Sequence, residues 1–129
     1  VSGLRVGGVD YEVRIRLDAQ TEIAAIITPA SADNLGLAIG KEVFALVKSS
    51  SVMLATERGI RLTARNQLWG EVAAVHQGPV NSEVTLALPS GRSVTCVVTA
   101  ESCAALGIAP GVEACAFFQS SSVILAAWE

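Results

Sequence analysis

Aromatic side chains are scarce in this chain: three Phe, two Trp and one Tyr make up 5% of 129 residues. Holding single-stranded nucleic acid needs aromatic stacking platforms and a basic groove, and 9 Lys and Arg against 12 Asp and Glu leave a formal charge of −3. That class is disfavoured on both counts. Histidine occurs once, as His76 beside a Gly-Pro turn, a place that reads as solvent-facing rather than catalytic. No Ser/His/Asp set, glycine-rich phosphate loop, paired-carboxylate arrangement or zinc-ligand spacing is present. The residues give no support to an enzyme, and neither catalytic residues nor a metal site are expected.

Long hydrophobic runs are missing too. No stretch approaches the ~20 apolar residues of a membrane span, and no signal-peptide pattern opens the sequence. Three cysteines, Cys96, Cys103 and Cys115, lack CxxC spacing and read as buried free thiols in a reducing compartment. A cytoplasmic location follows as the expectation. Charged residues are only 16% of the chain while hydrophobic ones reach 51%, which excludes a disordered tail and suits a chain hiding surface against partners.

What the chain has in quantity is a second copy of itself. Residues 1–55 align without a gap on residues 72–126 at an offset of 71, with about 20 identical positions, and a period of that length marks two copies of one small domain. The expected division is a first repeat over 1–55 with an incomplete opening strand, a connector over 56–62 and a second repeat over 63–129. Units of roughly 55–70 residues bury little core alone, so strands exchanged between copies, or assembly into an oligomer, are expected.

Each copy reads as strands, one short helix, then more strands. Residues 9–17 and 80–88 alternate with period two, and 23–27 and 94–98 are short apolar runs suited to buried strands. Thr28 then caps a helix with Pro29 at its first position and Gly36 just past its end; Thr99 and Gly107 do the same in the second copy. Further strands are expected over 42–48, 52–55, 113–119 and 123–126, with a triple serine between the members of each pair. Residues 62–67 are expected to form the first strand of the second repeat, with Thr63 and Arg65 on one face. Five strands and a short helix per unit suggest an all-β fold of two OB-like Greek-key barrels.

The polar residues that both copies keep are Thr28 and Thr99, Ser31 and Ser102, and the serines at 49–51 and 120–122. The expectation is that each helix start aims two hydroxyls and several free backbone N–H groups at one point, a ready anion site. The competing reading is that Thr merely caps the helix. Thr63, Arg65 and Asn66 in the connector add a hydroxyl, a guanidinium and an amide, and Lys48 adds a positive charge. Such a set is rich in donors and poor in acceptors. It suits a fully deprotonated tetrahedral oxyanion better than phosphate, which near neutral pH often keeps a proton that needs an acceptor.

At these residues the chain resembles the Mop, or molybdate/tungstate-binding, family in its tandem di-Mop form. Thr63-Ala64-Arg65-Asn66-Gln67 is similar to the family's opening Ser-Ala-Arg-Asn-Gln motif. Gly78-Pro79-Val80-Asn81-Ser82-Glu83-Val84 is similar to its Gly-x-Val-Asn-x-Glu-Val strand, with Gly7 to Val13 a looser copy, and Lys48-Ser49-Ser50-Ser51-Val52 to its closing segment. The resemblance implies OB-like barrels assembled into strand-swapped oligomers, dimers or trimers, with molybdate or tungstate held at interfaces between units. It implies oxyanion-binding roles for Thr63, Arg65, Asn66, Thr28, Ser31, Lys48, Ser49, Thr99, Ser102 and Ser120. Gln119 stands where the family usually has Lys, and the first repeat lacks the opening motif. The implied function is cytoplasmic oxyanion binding for molybdenum storage or homeostasis. The alternative is the molybdate-sensing part of a helix-turn-helix transcription regulator, with nucleic acid reached only through a further upstream domain.

Overall fold

Alternating burial organises most of the chain into strands. The computed structural model describes residues 1–128. Among them lie ten strands: Gly3–Val6 (β1), Tyr11–Arg16 (β2), Glu22–Ile27 (β3), Phe44–Val47 (β4), Met53–Ala55 (β5), Asn66–Gln77 (β6), Asn81–Ala87 (β7), Ser93–Thr99 (β8), Glu113–Phe118 (β9) and Val123–Ala126 (β10). Two short helices, Pro29–Leu35 (α1) and Ala100–Ala105 (α2), follow β3 and β8. Each triple serine forms one turn of 3-10 helix, Ser49–Ser51 and Ser120–Ser122.

The helix ends follow from their residues. Thr28 is extended and its side chain accepts from Ser31 N–H, Pro29 occupies the first helical position, and Gly36 ends α1 in the left-handed conformation at φ 62°. Thr99 caps α2 in the same way, and Gly107 follows it at φ 66°.

The compact units do not coincide with the sequence repeats. One unit is Val1–Val47 joined by the chain from Gln119 onward, and the other is Lys48–Phe118. In the first, β1, β2 and β3 form an antiparallel sheet in that order, while β10 pairs with β4 in a two-stranded ribbon. The Ser120–Ser122 turn and β10 pack on β3. In the second, a five-stranded sheet runs β5-β9-β6-β7-β8. Its edge strands β5 and β8 touch, so the sheet curls toward closure, and the Ser49–Ser51 turn packs on β8. The tail of each repeat thus serves the other: β5, from the first copy, pairs with β9, and β10, from the second, pairs with β4. Strand exchange occurs here inside one chain.

One boundary differs from expectation. The strand expected at 62–67 begins only at Asn66 and then runs twelve residues, through a register shift between Val72 and Ala74. The reason is its partner: Asn66 lies opposite Phe118, the last residue of β9, and beyond that pair there is no ladder to continue. Alternation persists without the ladder, with Thr63 and Arg65 exposed and Ala64 and Asn66 buried.

In the first unit the core is built on Val13, Ile15, Ile23, Ala25 and Ala32; in the second on Val72, Val84, Leu86, Ala114 and Ala116. Gly70 is required by its neighbour, since a Cβ there would run into the backbone carbonyl of Ala87.

Candidate functional site

The duplicated hydroxyls sit at the two helix starts and bond first to each other. Thr28 Oγ1 donates to Ser31 Oγ at 3.0 Å while accepting Ser31 N–H at 3.2 Å. Thr99 Oγ1 donates to Ser102 Oγ at 2.7 Å and accepts Ser102 N–H at 3.0 Å. Both pairs are exposed. Each threonine spends its proton on the serine, and each serine keeps its own O–H for an outside acceptor.

The expectation of several free backbone N–H groups is corrected by this arrangement. Pro29 has no N–H, the N–H of Ser31 and Ser102 goes to the caps, Ala32 N–H bonds Thr28 O at 3.0 Å, and Ala100 N–H bonds Val80 O at 2.8 Å. Capping consumes the donors that an anion would otherwise meet. What remains in each first turn is one serine hydroxyl and one N–H, that of Ala30 or Glu101.

Strand exchange decides what stands with each pair. Ser120, only 7% exposed, lies in the unit of Thr28 and Ser31, together with Gln119. Ser49, half-buried, and exposed Lys48 lie in the unit of Thr99 and Ser102. The two sets therefore differ in charge. A cavity of about 430 Å³ in the first unit is lined by Thr28, Ser31, Asn34, Asp10 and the apolar Ile26 and Ile124. One of about 260 Å³ in the second is lined by Ser50, Ser102 and Cys103 among apolar residues. Asp10 brings a carboxylate to the first, where the other copy has Asn81; α2 in turn carries Glu101 in its first turn, where α1 has no acid. The pairing of Asp10 with Asn81 and of Ala30 with Glu101 in the repeat alignment is the sequence signal for these two carboxylates.

Thr63 and Arg65, both exposed, and buried Asn66, 2% exposed, lead into β6 opposite the end of β9. Asn66 faces inward, so its amide belongs to the interior of the unit rather than to the exposed face of Thr63 and Arg65. His76 is exposed on β6, across from Glu83 of β7.

The three cysteines are free and buried. Burial, reinforced by the nearby Cys103 thiol, pushes Cys96 up from 9.0 to about 11, and burial also raises Cys115. Both remain protonated and unreactive at neutral pH. Elsewhere in the same unit, Arg58 lies 4.2 Å from the centroid of the Trp69 ring and 2.6 Å from a Glu113 carboxylate oxygen, beside a cavity of about 640 Å³. Neither of the hydroxyl pairs lines this cavity. Among the described residues, no group of three or more His, Cys, Asp or Glu could hold a metal ion, and no helix is long and apolar enough to cross a membrane.

These features belong to a known class of small domain. The TOBE domain pattern matches the chain twice, over residues 1–54 and 62–125, and the chain belongs to the TOBE domain family. It is 81% identical over 128 residues to the molybdenum transport protein ModE of Azotobacter vinelandii, covering 99% of this chain and 47% of that protein. It is 48% identical to the molybdenum-pterin-binding protein MopA of Rhodobacter capsulatus, over 98% of this chain and 48% of that one. The chain spans about half the length of the curated relatives it matches. Among solved structures, the cytoplasmic molybdate-binding protein ModG, crystallised with molybdate bound, superposes with a TM-score of 0.95 at 47% identity, over 99% of this chain and 92% of that one. The tandem Mop resemblance and the mostly β architecture of two repeats are in agreement with these relatives.

Proposed function

We propose that this chain binds molybdate, and tungstate in the same manner, as a cytoplasmic oxyanion-binding protein of molybdenum storage or homeostasis, and not as an enzyme. The observation that carries the reading is the near-complete superposition on ModG, whose crystal holds molybdate. The duplicated serine hydroxyls of Ser31 and Ser102 add chemical support, since each keeps a proton for an outside acceptor. In this reading Thr28 and Thr99 orient those serines. Thr63, Arg65, Lys48, Ser49 and Ser120 supply further donors, and Asn66 holds the Thr63–Arg65 segment from inside. Self-association into a dimer or trimer, with strands exchanged between subunits, completes sites that one chain leaves unequal. The second reading, the molybdate-sensing part of a longer regulator, is favoured by the similarity to ModE proteins, of which this chain spans less than half.

The hydroxyl, guanidinium and ammonium donors of this set favour a fully deprotonated oxyanion, which sets an order of ligands. Calorimetric titration is expected to give tight molybdate binding, similar tungstate binding, weaker sulfate and weakest phosphate. Arg65→Ala is expected to weaken molybdate binding far more than His76→Ala. Phosphate binding as tight as molybdate would overturn the reading.

A further inference from the structure

Each unit folds matching residues into a hollow beside its helix start. Ile26, Ile27, Leu35 and Ile124 wall the cavity of the first unit, and their repeat counterparts Val97, Val98, Leu106 and Met53 wall that of the second. Ser31 lines the one and Ser102 the other. The walls match in shape but differ in charge. Asp10 lines the first cavity, whereas among the described residues no carboxylate lines the second; Glu101, in the first turn of α2, is not one of its walls.

The strand ladders fix where the Asp10 carboxylate stands. In the second unit Asn81 lies directly opposite Thr99, the cap of α2. In the first, Tyr11 lies opposite Ile27, so the next pair outward is Asp10 and Thr28. Neighbours across a ladder hold their Cβ atoms roughly 5 Å apart. The turns leading into both positions are alike: Gly7 N–H bonds Asp10 O and Gly78 N–H bonds Asn81 O, each at 3.0 Å. Asp10 and Asn81 thus place side chains of one shape on one backbone, the first charged and the second neutral. Gln119 precedes the serine turn of the first unit, while Lys48 precedes that of the second and brings a cation.

We propose that Asp10 is a specificity-determining residue of the helix-start site at Thr28 and Ser31, an inference that rests on the oxyanion reading. Its carboxylate sets this site against doubly charged oxyanions and leaves the Ser102 site to take them first. Repulsion grows with the charge of the ligand, so a dianion is penalised about twice as much in free energy as a monoanion of the same shape. Asp10 therefore filters by charge, not by size.

Asp10→Asn makes the first unit match the second at this position, and Asn81→Asp moves the charge across. The test follows the Ser31 and Ser102 backbone amides by NMR in the whole chain at low ionic strength, titrating molybdate, a dianion, or perrhenate, a tetrahedral monoanion. In the unsubstituted chain Ser102 is expected to saturate at lower molybdate than Ser31. Asp10→Asn is expected to tighten molybdate about tenfold and perrhenate about threefold at Ser31, with Ser102 unchanged. Asn81→Asp is expected to weaken both anions at Ser102 in the same ratio, and added salt should shrink every one of these differences. An equal gain for the two anions, or no gain, overturns the proposal and leaves oxyanion binding standing. If neither serine responds to molybdate in any of the three chains, the oxyanion reading falls and the proposal with it.

Discussion

Two units built from one repeated sequence end in different sheets. The Lys48–Phe118 unit has a single sheet of five strands, while the unit of Val1–Val47 and the chain from Gln119 has one of three and a ribbon of two. The difference lies in one strand. β6 is twelve residues long and pairs with β9 along its first half and with β7 along its second, whereas its counterpart β1 has four residues and reaches only β2. A strand that serves two partners joins them into one sheet; β1 spans only the counterparts of residues 74–77, since those of 66–71 fall before residue 1. What repeats locally, the capped helices and serine turns, is thus carried on unequal supports.

Core truncation separates the units most widely. Leu86, fully buried in the five-stranded sheet, is expected to cost about 2–5 kcal/mol on Leu86→Ala, against about 2 kcal/mol for Val13→Ala in the smaller unit, as read by urea denaturation. Equal costs would mean that the extra sheet contributes nothing to packing.

Next come the glycines. A Cβ on Gly70 meets the Ala87 carbonyl, which a strand cannot move, while one on Gly3 meets only the flexible end of Arg14. Gly70→Ala is expected to destabilise by about 2 kcal/mol or more and Gly3→Ala by less than about 1 kcal/mol, measured by thermal unfolding. The helix caps should behave alike in both units. Thr28→Ala and Thr99→Ala are each expected to lose about 1 kcal/mol, and a large inequality would show that one threonine has a second role.

The smallest contrast is in pH dependence. Between pH 9 and about 11 the unfolded chain has lost the Cys96 proton and the folded chain keeps it, so stability is expected to fall as pH rises through that window. The other repeat has Ala25 in this position. Cys96→Ala should flatten the alkaline limb of a denaturation-midpoint profile, and an unchanged slope would assign the loss to other groups.

Local chemistry was readable in the sequence where one residue decides the outcome. Thr28-Pro29 and Gly36 mark both ends of α1, and the alternation over residues 81–87 marks β7 and its buried face. Pairing between distant segments was not readable in the same way. β5 and β10 have the same pattern whether they pair within their own repeat or with the other, so the exchange of tails is a matter of topology rather than composition. The start of β6 was misjudged at Leu62 because strand length is set by where β9 ends, at Phe118. At the candidate site the hydroxyl pairs were legible from the duplication. Their donor capacity was overstated, because a proline at the first helical position and a side-chain cap each remove an N–H that the bare helix dipole argument counts.

The central claim is that the serine hydroxyls of both helix starts receive a molybdate-like anion. An NMR titration that follows the backbone amides of Ala30, Ser31, Glu101 and Ser102 tests it directly. Molybdate is expected to shift these amides saturably while phosphate leaves them nearly in place, and Ser31→Ala and Ser102→Ala should each remove the response at their own helix. Shifts confined to the cavity at Arg58, Trp69 and Glu113, or an equal response to phosphate, would contradict the account.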